Sequence, residues 1–175
     1  MKREAPYAIR ASSFDQGRFT LEGTRPANAL YLDAAFQLLG QQGYAALIEA
    51  NYDRARLMAE LIEADPAFEL MSAPVMNLLS YRCIPPHLQG QVLDEAANEQ
   101  INAFNVALQK AQRAEGHSFV SRTQRAVGRY GSQPLTLLRA VLLNPLIEER
   151  HIRELLADQR RLGQTVASQL FDATA

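Results

Sequence analysis

The chain has 175 residues, 47% of them hydrophobic, with 9 Gly and 8 Pro, which suits one domain with a real core. Its 18 basic and 19 acidic residues leave a net charge of −1, an argument against a polyanion-binding surface and so against nucleic acid as a partner. No apolar run approaches the roughly 20 residues needed to cross a bilayer, and MKREAPYAIR at the start lacks the apolar core of a signal peptide. Cys83 is the only cysteine and no Cys/His spacing resembles a metal site, so a cytoplasmic protein with no membrane, zinc or redox role is expected.

In chain order, residues 1–22 show little helical periodicity, and GTRPANALYLDAAFQLLG then reads as a loop entering a helix. Pro26 suits its first turn, Thr24 a place near the cap, and Gly40 a stop. A second helix is expected from about Tyr44 to Ala64, with Leu47, Ala55, Met58 and Ile62 near one face, ended by Asp65 and Pro66. FEL at 68–70 and NLLSYRCI at 77–84 read as strands, the latter stopped by Pro85 and Pro86.

Helical period returns from Val92 to Ala114, where Ile101, Phe104, Leu108 and Ala111 form one stripe and Gly116 stops the run. HSFVSRTQ at 117–124 and PLTLLRAVLLN at 134–144 are strands whose glycine-containing connection suggests a hairpin. A last helix runs from Ile147 to about Leu170, with Ile152, Leu155, Leu156, Leu162 and Val166 inward; its EERHIRELLADQRR face is a solvated one. This order predicts an α+β layer: a small, mainly antiparallel sheet with helices packed on one face.

One residue in that pattern asks for an explanation. Alternation along TLLRAVLLN puts Leu137, Arg139, Val141 and Leu143 on one sheet face and Leu138, Ala140 and Leu142 on the other. Both faces are apolar, so both should be covered, and Arg139 must find an anion, an internal acid or solvent.

Four stretches in order, FTLEGTRPANALYLDAAFQLLGQQGYAALIE, ARLMAELIEADPAFELMSAPVMNLLSYRCIPP, FVSRTQ and LLRAVLLNPLIEERHIRELLADQRRLG, resemble the C-terminal part of the group II pyridoxal-phosphate-dependent amino acid decarboxylases. The resemblance implies residues 1–25 as a linker entering the domain and residues 26–175 as the C-terminal small domain of a fold-type I enzyme. It implies a large domain, absent from this chain, that carries pyridoxal 5′-phosphate and its Schiff-base lysine, a homodimer, and an amino acid substrate. The acidic amino acid branch looks somewhat closer than the aromatic one.

A Schiff-base lysine must be partly buried and deprotonated. Lys2 sits at a polar terminus and Lys110 lies opposite the apolar stripe of its helix, so neither suits the role, and the chain alone is expected to be inactive. Arg139 matches the arginine that the family's strand presents to the substrate carboxylate, a task for which a guanidinium fork suits better than an ammonium. In this chain it should meet no substrate anion, and should either pair with a local acid or emerge on the sheet face that the large domain would cover, not on the face packed under the domain's own helices. Gly23 and Thr24, at a helix entry, are by the resemblance candidate contacts to the cofactor phosphate. His87, His117 and His151 are expected to face solvent, and Cys83 to be a small buried hydrophobe. The rival readings are a catalytically empty interaction or dimerisation module and the small domain of a fold-type I aminotransferase.

Overall fold

A computed structural model describes residues 26–171. The chain divides into two compact units, Met1–Tyr44 and Ala45–Ala175. The helical run α1, Ala29–Glu63, is broken at Gly40, whose φ of 61° and ψ of −177° only glycine adopts without strain. The stop expected at Gly40 is therefore a break between two helices. Within the first unit, the rings of Phe36 and Tyr44 lie 4.7 Å apart, and Leu30, Tyr31 and Leu38 are exposed.

The second unit contains the rest of α1 followed by β1 (Phe68–Val75), β2 (Leu78–Cys83), α2 (Glu95–Glu115), β3 (Ser121–Ala126), β4 (Pro134–Val141) and α3 (Glu149–Phe171). The four strands form one antiparallel sheet in the order β1-β2-β4-β3. The expected α+β class and the expected order of elements are what the chain adopts. Boundaries differ: β1 runs five residues past Leu70, and β3 starts at Ser121 rather than His117.

Asp94 caps α2 by accepting from the Ala97 N–H at 2.8 Å, and Gly116 closes it in the left-handed region at φ 82°. The apolar stripes then meet the sheet. Leu79, Tyr81 and Cys83 of β2 and Leu138 and Ala140 of β4 join Ala55, Met58, Ile62, Phe104, Leu108, Ile152, Leu156 and Val166 in one core. That places α2, α3 and the part of α1 that follows Tyr44 on one face. Asn105 of α2 fixes its helix to β2 by an amide pair: its Oδ1 accepts from Cys83 N–H at 2.9 Å and its Nδ2 donates to Cys83 O at 2.8 Å. Arg54 of α1 donates to the carbonyls of Ile147 and Pro145, which sets the chain's path from β4 into α3.

The other sheet face is partly covered by the chain itself. The connection between β3 and β4 reaches back to β1, where Arg129 Nη2 donates to Leu70 O at 2.7 Å and the Tyr130 hydroxyl donates to Glu69 Oε1. Leu135 and Leu137 are buried, whereas Val141 is 46% exposed. The expectation that both faces are covered holds in part: one end of this face is closed by the hairpin's own loop, and the end around Arg139 is open.

Candidate functional site around Arg139

Because Leu138 and Ala140 enter the helix-covered core, the intervening Arg139 points to the opposite face. Strand register places it between Ser80 of β2 and Ser121 of β3, and Ser80 faces Ser72 of β1. One row across all four strands thus reads Ser72, Ser80, Arg139, Ser121. The Arg139 side chain is exposed. Its Nε donates to Ser121 Oγ at 3.2 Å, and Ser121 Oγ donates to Arg139 O at 3.1 Å. Among the described residues no carboxylate forms an ion pair with Arg139.

Arg139 stands beside a cleft of about 700 Å³ whose walls include Phe119, Ser121, Val141, Ile147, His151 and Glu154. Phe119 is 63% exposed, so the cleft has an apolar lip next to the guanidinium. Asp158, on the same wall, accepts from Ser118 Oγ at 2.8 Å and pairs with Arg161. Desolvation pushes its carboxyl up, but the hydrogen bonds from Arg161 and Ser118 and the nearby charges outweigh it and hold the pKa below the ordinary value. An exposed guanidinium flanked by hydroxyls and apolar walls can take a carboxylate in a charge-assisted, two-point contact.

The three histidines are exposed, as expected, yet two of them line this cleft: His117, and His151, whose Nδ1 accepts from Glu148 N–H at 3.0 Å. His87 lies elsewhere, with Phe171 against its ring and Gln100 at 3.0 Å. Cys83 is buried, and burial raises its thiol pKa well above the ordinary value. Gly23 and Thr24 fall outside the described residues. Lys110 is exposed on α2, so the described residues offer no buried amine to anchor a pyridoxal cofactor. Among the described residues there is no group of three or more His, Cys, Asp or Glu able to hold a metal.

Sequence periodicity assigned no role to Arg82, which is the buried arginine among the described residues. It is 0% exposed, its Nε lies 2.6 Å from Glu69 Oε2, its Nη1 donates to Asn98 Oδ1 at 2.7 Å, and its guanidinium stacks on Tyr130 at 4.6 Å. The signal was available: NLLSYRCI sets a lone Arg among apolar residues just as TLLRAVLLN does.

No protein-family model matches the chain. In sequence it is 33% identical over 171 residues to an aspartate 1-decarboxylase of Aliivibrio fischeri, a match that covers 94% of this chain and 31% of that protein. In structure it is similar to mouse CSAD in apo form, with a TM-score of 0.73, 21% identity, and coverage of 90% of this chain and 33% of that one. It is also similar to Oryza sativa TDC with PLP and tryptamine, at a TM-score of 0.65 and 21% identity over 84% of this chain and 29% of that one. The chain therefore spans about a third of the length of the proteins it matches over most of its own length.

Proposed function

We propose, for a chain whose structural neighbours are group II pyridoxal-phosphate-dependent amino acid decarboxylases and whose matched share fits a small C-terminal domain, that residues 26–175 act as that domain in a larger carboxy-lyase. On this reading Arg139 grips the α-carboxylate of the amino acid substrate. The observation that carries it is the placement of an exposed guanidinium, with no acid paired to it among the described residues, on the sheet face away from the three helices.

The partner is the large domain of the same enzyme, which closes over the open end of the sheet around Arg139, Val141 and Phe119; the assembly is a cytoplasmic homodimer. Pyridoxal 5′-phosphate, bound to that large domain, supplies the electron sink for the bond that breaks. This chain supplies binding and orientation. A fork fixed by a strand holds the departing carboxylate in one direction, and orientation of that kind contributes as much to rate as affinity does. Closure of the apolar lip excludes water, which strengthens the ion pair. Gly23 and Thr24 contact the cofactor phosphate. Aspartate is the first substrate to try, because the relative that matches 94% of this chain is an aspartate 1-decarboxylase.

The test is complementation. The 175-residue chain, mixed with pyridoxal phosphate and aspartate, releases no carbon dioxide by itself; combined with a separately produced large domain that carries the lysine, it does. If the reconstituted enzyme with Arg139→Gln decarboxylates at the unsubstituted rate, the clamp is elsewhere. If no large domain confers activity, the small-domain reading falls.

A further inference from the structure

The geometry points to Ser121 as the positioning residue for Arg139. This inference rests on the clamp reading and deepens it, because it fixes which edge of the guanidinium is offered to the substrate.

A guanidinium can present two edges to a carboxylate: the side edge, made of Nε and one Nη, and the end edge, made of both Nη groups. Here the Nε–H is taken, since it donates to Ser121 Oγ at 3.2 Å. That contact does not leave the hydroxyl free to turn. The Ser121 proton is committed to the Arg139 carbonyl at 3.1 Å, so the lone pair that receives the Nε–H is held in place by the backbone of the arginine it serves. Both contacts close between directly opposed residues of β3 and β4, where the ladder keeps the two Cα atoms in register.

The consequence is a fork with one edge. With Nε engaged, only the Nη1 and Nη2 pair remains for a two-point grip, and neither of these atoms makes a hydrogen bond to another described residue. A carboxylate is therefore met end-on. Serine also suits the small space beside a neighbouring strand, and threonine keeps the same hydroxyl, donor and acceptor together, at the same distance from the backbone. Without the hydroxyl, Arg139 keeps its charge and its exposure but loses the restraint on its fork, so it still attracts a carboxylate while holding it in a broader set of directions.

Two measurements separate this idea from the clamp reading it rests on. In the 175-residue chain, the Arg139 Nε–H is read by two-dimensional ¹⁵N–¹H correlation spectra and assigned by its loss in Arg139→Gln. Ser121→Ala shifts that signal and speeds its exchange with water, whereas Ser121→Thr leaves it near the original position; an unchanged signal in Ser121→Ala overturns the positioning role whatever the function. In the reconstituted enzyme, Ser121→Ala lowers kcat/KM for aspartate by about tenfold, the size expected from one charge-assisted hydrogen bond. Part of that loss falls in kcat because orientation is lost, and Ser121→Thr restores most of it. If Arg139→Gln abolishes activity while Ser121→Ala has full kcat/KM, the clamp stands and the positioning role is wrong. If Arg139→Gln is fully active, the clamp itself is wrong, and the spectra still decide whether Ser121 orders the side chain.

Discussion

Arg82 and Glu69, opposite each other on β2 and β1, form an ion pair of 2.6 Å in which the arginine side chain is fully buried and the glutamate is 20% exposed. The asymmetry has an energetic consequence. Glu69 also receives Arg129 at 2.9 Å and the Tyr130 hydroxyl, and it touches solvent, so it tolerates the loss of one partner. Arg82 does not, because apart from Glu69 only Asn98 satisfies its guanidinium by a hydrogen bond among the described residues. Glu69→Ala should therefore destabilise the fold by about 3 kcal/mol, the cost of an uncompensated buried charge, and Arg82→Met by less, about 1 kcal/mol. Urea unfolding followed by circular dichroism gives both values, and a reversed order would contradict the account.

Tyr81 and Cys83 make the fold sensitive to alkali. Burial raises the Tyr81 phenol well above its ordinary value, with the nearby Cys83 adding to it and the hydrogen bond to Gln159 opposing it. Burial, then Asp65, raises the Cys83 thiol. Both folded-state pKa values lie above the unfolded ones, so the contribution of each group is complete below its unfolded pKa and is lost as pH climbs toward the folded value. Unfolded Cys ionises near about 8.5 and Tyr near about 10. The urea midpoint should start to fall above the first of these, and Cys83→Ala should delay the fall until the second. The same burial predicts that Cys83 reacts with a disulfide reagent only on unfolding.

Arg139→Gln should leave the stability of the chain within about 0.5 kcal/mol of the original, as for a surface substitution. The side chain is exposed, and among the described residues its hydrogen bond is to Ser121. Thermal unfolding of the two chains side by side tests this. A loss of several degrees would show that Arg139 holds the fold together and would remove the reason to read it as a binding residue.

Met76 occupies the tight turn between Val75 and Leu78 with a φ of 56°, a left-handed conformation that costs a residue with a Cβ roughly 1 kcal/mol. The residue is 56% exposed, so little packing is at stake. Met76→Gly should be neutral or stabilising by a few tenths of a kcal/mol, the relief of strain being offset by the greater freedom of an unfolded glycine. Met76→Val should destabilise, because a β-branched residue fits that region worst.

The layer class, the order of elements and the inward stripes were legible because each depends on local period. Ile101, Phe104 and Leu108 recur at helical spacing, and Leu138 and Ala140 alternate in a strand, wherever their neighbours lie. The shift of β3 to Ser121–Ala126 was not legible, because its residues SRTQRA are polar and their strand state comes from pairing with β4. Asn105 was invisible for a similar reason: its role as an amide partner of Cys83 depends on where α2 crosses β2.

The two lone arginines mark the boundary most clearly. By itself, the sequence determined that Arg82 and Arg139 each sit on a strand face opposite leucines and other core residues, since side-chain alternation is a property of the backbone alone. Only the tertiary structure decided their fates. The β3–β4 loop folds back over the sheet face at Arg82, bringing Tyr130 onto its guanidinium, and Glu69 is supplied by the neighbouring strand; the same loop stops short of Arg139, which is left in the open beside Ser121. Burial of a charge depends on which distant segments cover it, and that is set by how the chain closes on itself.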